Sequence, residues 1–198
     1  MSLTYYLRDL GSELVDAWSR AFAGVEAVHP GQGDIFAVKA DALISPANSF
    51  GFMDGGIDRI YSQRLGWHVQ ERLQALLRRD YDSELPIGMA VMVETDSPDY
   101  PYLISAPTMR APVDVSDTLN AYLAFRAALR LISRINHERP GTISSVLCPG
   151  LATGTGGLPA AVCAHQMYAA YEVVQGQRTP PANVNEALLE HYDLLRPL

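Results

Sequence analysis

The chain has 198 residues, of which 48% are hydrophobic and 19% are charged, and its formal net charge is −7. This composition predicts one globular domain over residues 1–198, with its core at about 25–175 and a helix added at each end. Lys and Arg do not cluster, which excludes broad affinity for nucleic acids, because phosphate backbones are held by clustered cations. A small anionic ligand still fits this charge, because backbone N–H groups at a helix start can bind it.

The cysteines and histidines indicate which cellular compartment to expect and whether to expect a metal site. Cys148 and Cys163 lie in apolar surroundings and lack the spacing of a disulfide framework or a zinc site. The five histidines are scattered, and no apolar run approaches the roughly 20 residues of a membrane-spanning helix. No signal peptide is visible. We therefore expect a cytoplasmic protein with no metal site, no cofactor and no membrane association.

Hydrophobic spacing predicts strands that alternate with helices. In chain order, the first half begins with a helix over about 9–22, a strand over 25–29 and a turn over 30–34. An apolar run over 35–38 then leads into a strand from Ala42. Helical spacing follows after Asp58, and a further helix is predicted over 67–79. The second half shows strands over 89–94 and 102–106, a helix from an N-cap at Ser116 to about His137, a strand over 143–148, a helix from Leu158-Pro159, and a terminal helix over 183–195. This alternation favours a largely parallel sheet covered on both faces.

Two glycine-bearing loops each follow a predicted strand and lead into a predicted helix. The first glycine loop, residues 46–55, holds Asn48 and Asp54, and the second glycine loop is residues 150–157. Ligands of open α/β sheets bind where the carboxyl ends of strands meet such loops, so we expect both loops at one crevice. Four glycines let the second loop approach a phosphate, and the helix starting at Pro159 would add unpaired N–H groups.

The second glycine loop does not match the common nucleotide-binding motifs. It lacks the Gly-Lys-Ser/Thr of a Walker loop and the Gly-x-Gly-x-x-Gly register, which disfavours a nucleoside triphosphatase. A tight strand-to-helix connection would also explain its glycines. Each candidate residue also has an ordinary structural explanation when taken singly. Asp34 and Asn48 fit turn positions, and Asp58 fits the first turn of a helix. Cys148 can be explained as a small hydrophobic residue of the core.

Three short motifs occur in a fixed order along the chain. They are Gly33-Asp34-Ile35, the stretch from Pro46-Ala47-Asn48 to Gly55-Gly56-Ile57-Asp58, and Gly150-Leu-Ala-Thr-Gly-Thr-Gly-Gly-Leu-Pro159. Together they resemble the Gly-Asp-Ile, Asn-Ala-Ala-Asn…Gly-Gly-Val-Asp and Gly-Ile-Ser-Thr-Gly-x-x-Gly-x-Pro motifs of the macro domain, the ADP-ribose-binding fold. The resemblance covers about residues 25–174, and three motifs in this order are fairly specific.

The resemblance implies a three-layer α/β/α fold with a mixed, largely parallel sheet and with ADP-ribose lying across its crest. By position in the motifs, Asp34 accepts a hydrogen bond from the adenine amine, and Ile35 lies beside the ring. Gly55 and Gly56 let the chain approach the distal ribose. The second glycine loop wraps the diphosphate, so its implied ligand-binding residues are Gly150, Ala152, Thr153, Gly154, Thr155 and Gly156.

The resemblance also implies a reaction and its catalytic residues, Asn48 and Asp58, which keep the family's mutual spacing. Asn48 would hydrogen-bond the distal ribose, and Asp58 would orient a water that attacks the ribose C1″ or an ester carbonyl. We therefore expect a hydrolase that releases ADP-ribose from an ADP-ribosylated substrate, as a mono-ADP-ribosyl hydrolase or an O-acyl-ADP-ribose deacylase. Two alternatives stay open, a non-catalytic ADP-ribose reader and a phosphatase acting on ADP-ribose-1″-phosphate.

Four residues depart from the pattern of the hydrolases in this family. Met53 and Asp54 stand where glycines are usual, which predicts a narrower and more acidic distal-ribose pocket, with one carboxyl pKa raised by its neighbour. Gly156 replaces an aromatic residue, which predicts the loss of a wall beside the ligand. Arg110 lies in an atypical segment, and we expect it either to reach a ligand phosphate or an acidic partner, or to be an ordinary surface residue.

Overall fold

The computed structural model describes residues 3–198, which form six strands and six α-helices. The strands are β1 (Thr4–Asp9), β2 (Val28–Gln32), β3 (Ala42–Ser45), β4 (Val91–Glu94), β5 (Tyr102–Ser105) and β6 (Ser145–Cys148). The helices are α1 (Ser12–Ala21), α2 (Gly56–Leu65), α3 (His68–Asp80), α4 (Asn120–Glu138), α5 (Ala160–Val174) and α6 (Val184–Leu194). Among these residues no helix is long and apolar enough to cross a membrane.

The six strands form one sheet in the order β2-β1-β6-β3-β5-β4. Every neighbouring pair is parallel except β4 and β5, which run antiparallel with Val93 opposite Leu103. All four residues of β3 are buried, because a parallel strand in the middle of such a sheet has helices over both faces. The predicted mixed, largely parallel sheet is confirmed.

The core is divided between the two faces of the sheet, and β3 contributes to both. Ile44 lies in the larger cluster with Trp18 of α1 and Phe125 of α4. Leu43 lies in the second cluster with Tyr61 of α2 and other residues of α2 and α3. Neighbouring residues of a strand point to opposite faces, so the helices are sorted into two layers around the sheet. The predicted three-layer α/β/α arrangement is therefore confirmed.

The N-terminal residues are part of the sheet, which corrects the prediction that the chain begins with an added helix over 9–22. The strand β1 lies between β2 and β6, and only then does α1 follow. Burial alternates from Thr4 to Arg8, with Tyr5 and Leu7 buried and Tyr6 and Arg8 half-buried. Leu10, which the helical spacing included, is 74% exposed in the connection to α1.

Three other predicted boundaries also differ, two of them because of side-chain hydrogen bonds. The apolar run at 35–38 is a 3₁₀ turn over Ile35–Ala37, because the Asp34 carboxylate accepts a hydrogen bond from the Phe36 N–H. Ser116 is not the cap of α4, since it is bonded to Asp114 and the helix begins at Asn120. The strand expected over 25–29 is displaced to Val28–Gln32, which includes most of the expected turn.

Candidate functional site

A cavity of about 620 Å³ opens at the carboxyl ends of the strands. Cavities of this size hold small organic ligands. The structure brings all twelve predicted site residues to its wall, namely Asp34, Ile35, Asn48, Gly55, Gly56, Asp58, Gly150, Ala152, Thr153, Gly154, Thr155 and Gly156. Both glycine loops therefore share one crevice, as the strand-end rule predicts.

The Asn48 side chain holds the first glycine loop in shape. Its Nδ2 donates to the Phe52 carbonyl at 2.8 Å, and its Oδ1 accepts from the N–H groups of Phe50 and Phe52 at 3.1 and 3.3 Å. An amide NH₂ carries two hydrogens, so one remains for a ligand. Asn48 thus stabilises the loop and also lines the cavity.

The helix α2 begins at the cavity without a side-chain cap. Its N-cap is Gly55, whose missing side chain cannot accept from the first N–H groups, and both Gly55 and Gly56 line the cavity. The N–H groups of the first turn have no partner inside their own helix and carry the positive end of its dipole. The start of α2 is therefore suited to bind an anionic group. We expected this contribution from the helix after Pro159, but α5 begins at Ala160, outside the cavity wall.

Asp58 is a nearly buried carboxyl in the first turn of α2 and is 6% exposed. Ser45, at the end of β3, donates its hydroxyl to Asp58 Oδ1 at 2.5 Å. Burial raises the pKa of Asp58 to about 7, against the opposing effect of the Ser45 hydrogen bond. The carboxyl can therefore exchange a proton near neutral pH, which is the property that general acid–base chemistry requires.

The other end of the cavity is formed by the 3₁₀ turn that follows β2. Asp34 is exposed there and uses Oδ1 for the Phe36 N–H, at 2.9 Å. Its Oδ2 has no hydrogen-bond donor among residues 3–198, so it is free to accept one from a ligand. Ile35 is buried beside it and gives this end an apolar surface.

The second glycine loop is held by its own backbone. Ala152, at φ +61, accepts from the Leu158 N–H, and Gly154 accepts from the Gly157 N–H. The Gly156 carbonyl accepts from the Val115 N–H at 2.9 Å, which attaches the loop to the segment before α4. The N–H groups of residues 153–156 donate to no other backbone group of the described residues, so they are available to an anionic ligand in the cavity.

Met53 does not narrow the cavity, contrary to our expectation. Its side chain is fully buried in the core beneath α2 and α3, and its backbone is bonded to Gln70 and Ser62. Asp54 does line the cavity, so the wall is more acidic, as expected. The pKa of Asp58 is raised by burial, however, and not by Asp54 as we had inferred.

Gly156 also differs from expectation, whereas Arg110 fits two of its expected alternatives, an acidic partner and a surface position. A Cβ at Gly156 would lie 2.5 Å from the Ala152 carbonyl oxygen and 2.8 Å from Val115, so the missing side chain points into the protein rather than beside a ligand. Arg110 does not line the cavity, because Nε and Nη2 donate to both carboxylate oxygens of Glu84 at 2.7 and 3.0 Å. Its acidic partner is thus within the chain.

The sequence analysis did not predict several residues that line the cavity. They include Arg8, Asp9, Leu10, Phe52, Thr108, Met109 and Pro112. The first three lie at the end of β1 and just after it, and the period-two alternation of Tyr5 to Arg8 could have predicted this strand. Thr108 and Met109 reach the cavity because their segment runs beside the first glycine loop, where Met109 forms a parallel bridge with Asn48. Local spacing carries no signal for that long-range pairing.

The chain is similar to known proteins in sequence. A family model described as Macro domain matches residues 44–167. An uncharacterised protein of Aquifex aeolicus is 35% identical over 136 residues, which are 69% of this chain and 75% of that protein. The Streptomyces nogalater macro domain-containing protein in sno 5'region is 30% identical over 164 residues, which are 82% of this chain and 83% of that protein.

The chain is also similar to solved structures. The macrodomain of Mycobacterium tuberculosis DarG superposes with a TM-score of 0.59 and 25% identity, over 73% of this chain and 89% of that one. A mutant Oceanobacillus iheyensis macrodomain with ADPR gives a TM-score of 0.58 and 19% identity, over 75% and 73%. Thermosipho africanus DarTG in complex with ADP-ribose gives 0.55 and 20%, over 75% of this chain and 42% of that one.

Proposed function

Because the chain belongs to the macro domain family, we propose that its cavity binds ADP-ribose and that it hydrolyses a bond to the distal ribose of an ADP-ribosylated substrate. The observation that carries the proposal is the buried Asp58 carboxyl, with its pKa of about 7, beside an uncapped helix start. Similar macrodomains are known with ADPR or ADP-ribose bound, which supports the choice of ligand.

The ligand extends from Asp34 to Asp58 along the cavity. The adenine amine donates to Asp34 Oδ2, and the diphosphate lies between the start of α2 and the second glycine loop. Four aspartates line the cavity, so the backbone N–H groups must offset their repulsion of the diphosphate. A neutral Asp58 reduces this repulsion, since its raised pKa keeps a fraction of the carboxyl protonated near pH 7.

In the reaction, a water attacks C1″ of the distal ribose while the bond from C1″ to the leaving group breaks. Asp58 in its carboxylate form orients this water and takes one of its protons, and the leaving group takes a proton from solvent. The spare N–H of Asn48 binds a hydroxyl of the ribose and holds it in place. In an ester substrate the same water attacks the carbonyl carbon, and ADP-ribose leaves as an alcohol.

Binding is tested by calorimetry with ADP-ribose against the wild type and Asp34→Asn. The amide keeps an acceptor for the Phe36 N–H, so the turn survives, but it replaces the charged acceptor for adenine. We expect affinity to fall by about tenfold or more. Asp16→Ala, which removes an exposed aspartate of α1 outside the cavity, is the control and should bind normally. Equal affinity in wild type and Asp34→Asn would contradict this orientation of the ligand.

Catalysis is tested by release of ADP-ribose from a mono-ADP-ribosylated substrate. Asp58→Asn keeps the size of the side chain and an acceptor for Ser45, but it cannot take a proton. We expect turnover to fall by a factor of about 100 or more, and ADP-ribose affinity to stay within a few-fold. In the wild type, kcat/KM should rise with pH through a midpoint near 7, as Asp58 loses its proton.

The rival proposal is a non-catalytic reader of ADP-ribose. It is favoured by the three hydrogen bonds that occupy Asn48 and by the near-complete burial of Asp58, which together restrict the access of a water. Tight binding of ADP-ribose by the wild type, with no release from any modified substrate, would establish this alternative. Release of inorganic phosphate from ADP-ribose-1″-phosphate would instead identify a phosphatase.

A further inference from the structure

Arg8 is the only cationic side chain that lines the cavity, within residues 3–198. It is the penultimate residue of β1, and four aspartates line the same cavity, yet none of the ion pairs in this part of the chain includes Arg8. Its Nε is fully enclosed and has no hydrogen-bond partner among the same residues. An enclosed donor without a partner costs free energy, so its position calls for a physical reason.

The guanidinium of Arg8 approaches the backbone of β2 edge-on, through Nη1. Arg8 is paired with Gly31 in the parallel register, and a Cβ built at Gly31 would lie 1.2 Å from Nη1 and 2.5 Å from Cζ. The guanidinium therefore occupies the space that any larger residue would fill at position 31. Because Gly33 and Asp34 follow in the same segment, this places the planar group at the Asp34 end of the cavity.

We infer that the guanidinium plane of Arg8 stacks on the nucleobase whose amine is bound by Asp34. A guanidinium is planar and weakly hydrated, and it stacks on aromatic rings more readily than an ammonium group does. Phosphates have other partners in this cavity, at the start of α2 and in the second glycine loop. Arg8 thus fixes the base from its face while Asp34 binds its edge. The inference rests on the proposed function, because ADP-ribose supplies the adenine.

Titration of ADP-ribose into Arg8→Ala, Arg8→Lys and Arg8→Trp separates stacking from charge. Stacking predicts about tenfold weaker binding for Arg8→Ala and a similar loss for Arg8→Lys, with affinity near wild type for Arg8→Trp. Gly31→Ala should weaken binding like Arg8→Ala, since its Cβ takes the place of Nη1. Thermal unfolding of each variant checks that the fold is retained.

Arg126→Ala is the matched control, because Arg126 of α4 also has an enclosed Nε without a partner but lies outside the cavity wall. It should bind ADP-ribose like the wild type. Affinity restored by Arg8→Lys, lost in Arg8→Trp, or unchanged in Arg8→Ala would overturn the stacking assignment. A wild type that does not bind ADP-ribose would instead refute the proposed function itself.

Discussion

The two glycine loops face one cavity but differ in how far side chains stabilise them. The first glycine loop has backbone hydrogen bonds, such as that from the Ser49 N–H to the Met109 carbonyl, and in addition Asn48 bonds Phe50 and Phe52, and Gln70 and Ser62 bond the backbone of Met53. The second glycine loop is held by backbone hydrogen bonds, three of which involve Ala152, Gly154 and Gly156. Loss of a side chain should therefore damage the first loop, and gain of a side chain should damage the second.

The two loops also bring different chemical groups to the cavity. A loop made of backbone can surround a diphosphate with N–H groups whose protonation does not change with pH. The first loop leads into α2, whose first turn brings the titratable Asp58, bonded to Ser45 of β3, beside the ligand. The pH dependence of the protein should therefore come from the first loop and the start of α2.

The largest expected effect is on stability as a function of pH, in Asp58→Asn. The folded pKa of about 7 lies above the ordinary value of 3.8, so the folded state holds a proton that the unfolded state releases. Asp58 therefore supports folding below pH 4, and this support is lost as the pH rises through about 7. Relative to Asp58→Asn, the wild type should lose up to about 4 kcal/mol of unfolding free energy over this range.

Urea unfolding of both proteins at several pH values between 4 and 8 measures this difference. Because the other titrating groups are common to the two proteins, subtracting one curve from the other isolates Asp58. A difference that does not change with pH would show that the Asp58 pKa is not raised, and it would remove the basis for general-base chemistry near neutrality.

Gly156→Ala should give the next largest effect. Its Cβ would meet the Ala152 carbonyl at 2.5 Å, and that backbone cannot yield without breaking the bond to the Leu158 N–H. We expect a loss of about 2 kcal/mol in unfolding free energy and strongly reduced ADP-ribose binding. Gly154→Ala is the matched control, because its Cβ meets nothing within 4 Å. Equal behaviour of the two variants would disprove the distinction within this loop.

Asn48→Ala tests the loop that is held by side chains. It removes three hydrogen bonds, of 2.8, 3.1 and 3.3 Å, from the half-buried first glycine loop. We expect about 1–2 kcal/mol less stability and weaker ADP-ribose binding. Asn48→Asp retains the acceptor for the Phe50 and Phe52 N–H groups and loses only the donor, so chemical unfolding should place it between Asn48→Ala and wild type. Identical stability of all three proteins would show that the side chain does not hold the loop.

Hydrophobic spacing predicted several helices and strands closely. The helices α3 and α6 and the strands β3 and β5 lie within two residues of their predicted bounds. Prediction failed at β1, because the spacing of the following helix absorbed Leu10 and the alternation from Tyr5 to Arg8 was not counted as a strand. The apolar run over 35–38 carries no helix or strand prediction, because its turn depends on the Asp34 side chain, which accepts from the Phe36 N–H.

For the site, sequence motifs located the residues but not the directions of their side chains. All twelve predicted residues reached one cavity, since loops after parallel strands meet at one edge. Met53 and Gly156 were misjudged because a loop sequence does not show which residues turn inward. Arg8 was not predicted as a site residue because it is far from Asp34 in the chain. The sequence does not show that β1 and β2 are neighbours in the sheet.

The smallest expected effect is that of Arg110→Ala. This substitution tests whether Arg110 takes part in ligand binding or only in a surface ion pair. The ion pair with Glu84 is exposed, with 66% of the Arg110 side chain in contact with solvent, and exposed pairs contribute little to stability. The guanidinium also lies over the Phe50 ring at 5.1 Å, so its loss should lower the thermal midpoint by less than about 3 °C. ADP-ribose affinity, measured by calorimetry, should stay within about twofold of wild type, because Arg110 is outside the cavity wall and a bidentate partner already occupies its donors. A large loss of affinity would mean that Arg110 leaves Glu84 to bind a ligand phosphate, and the first glycine loop would then act on the diphosphate through a side chain as well.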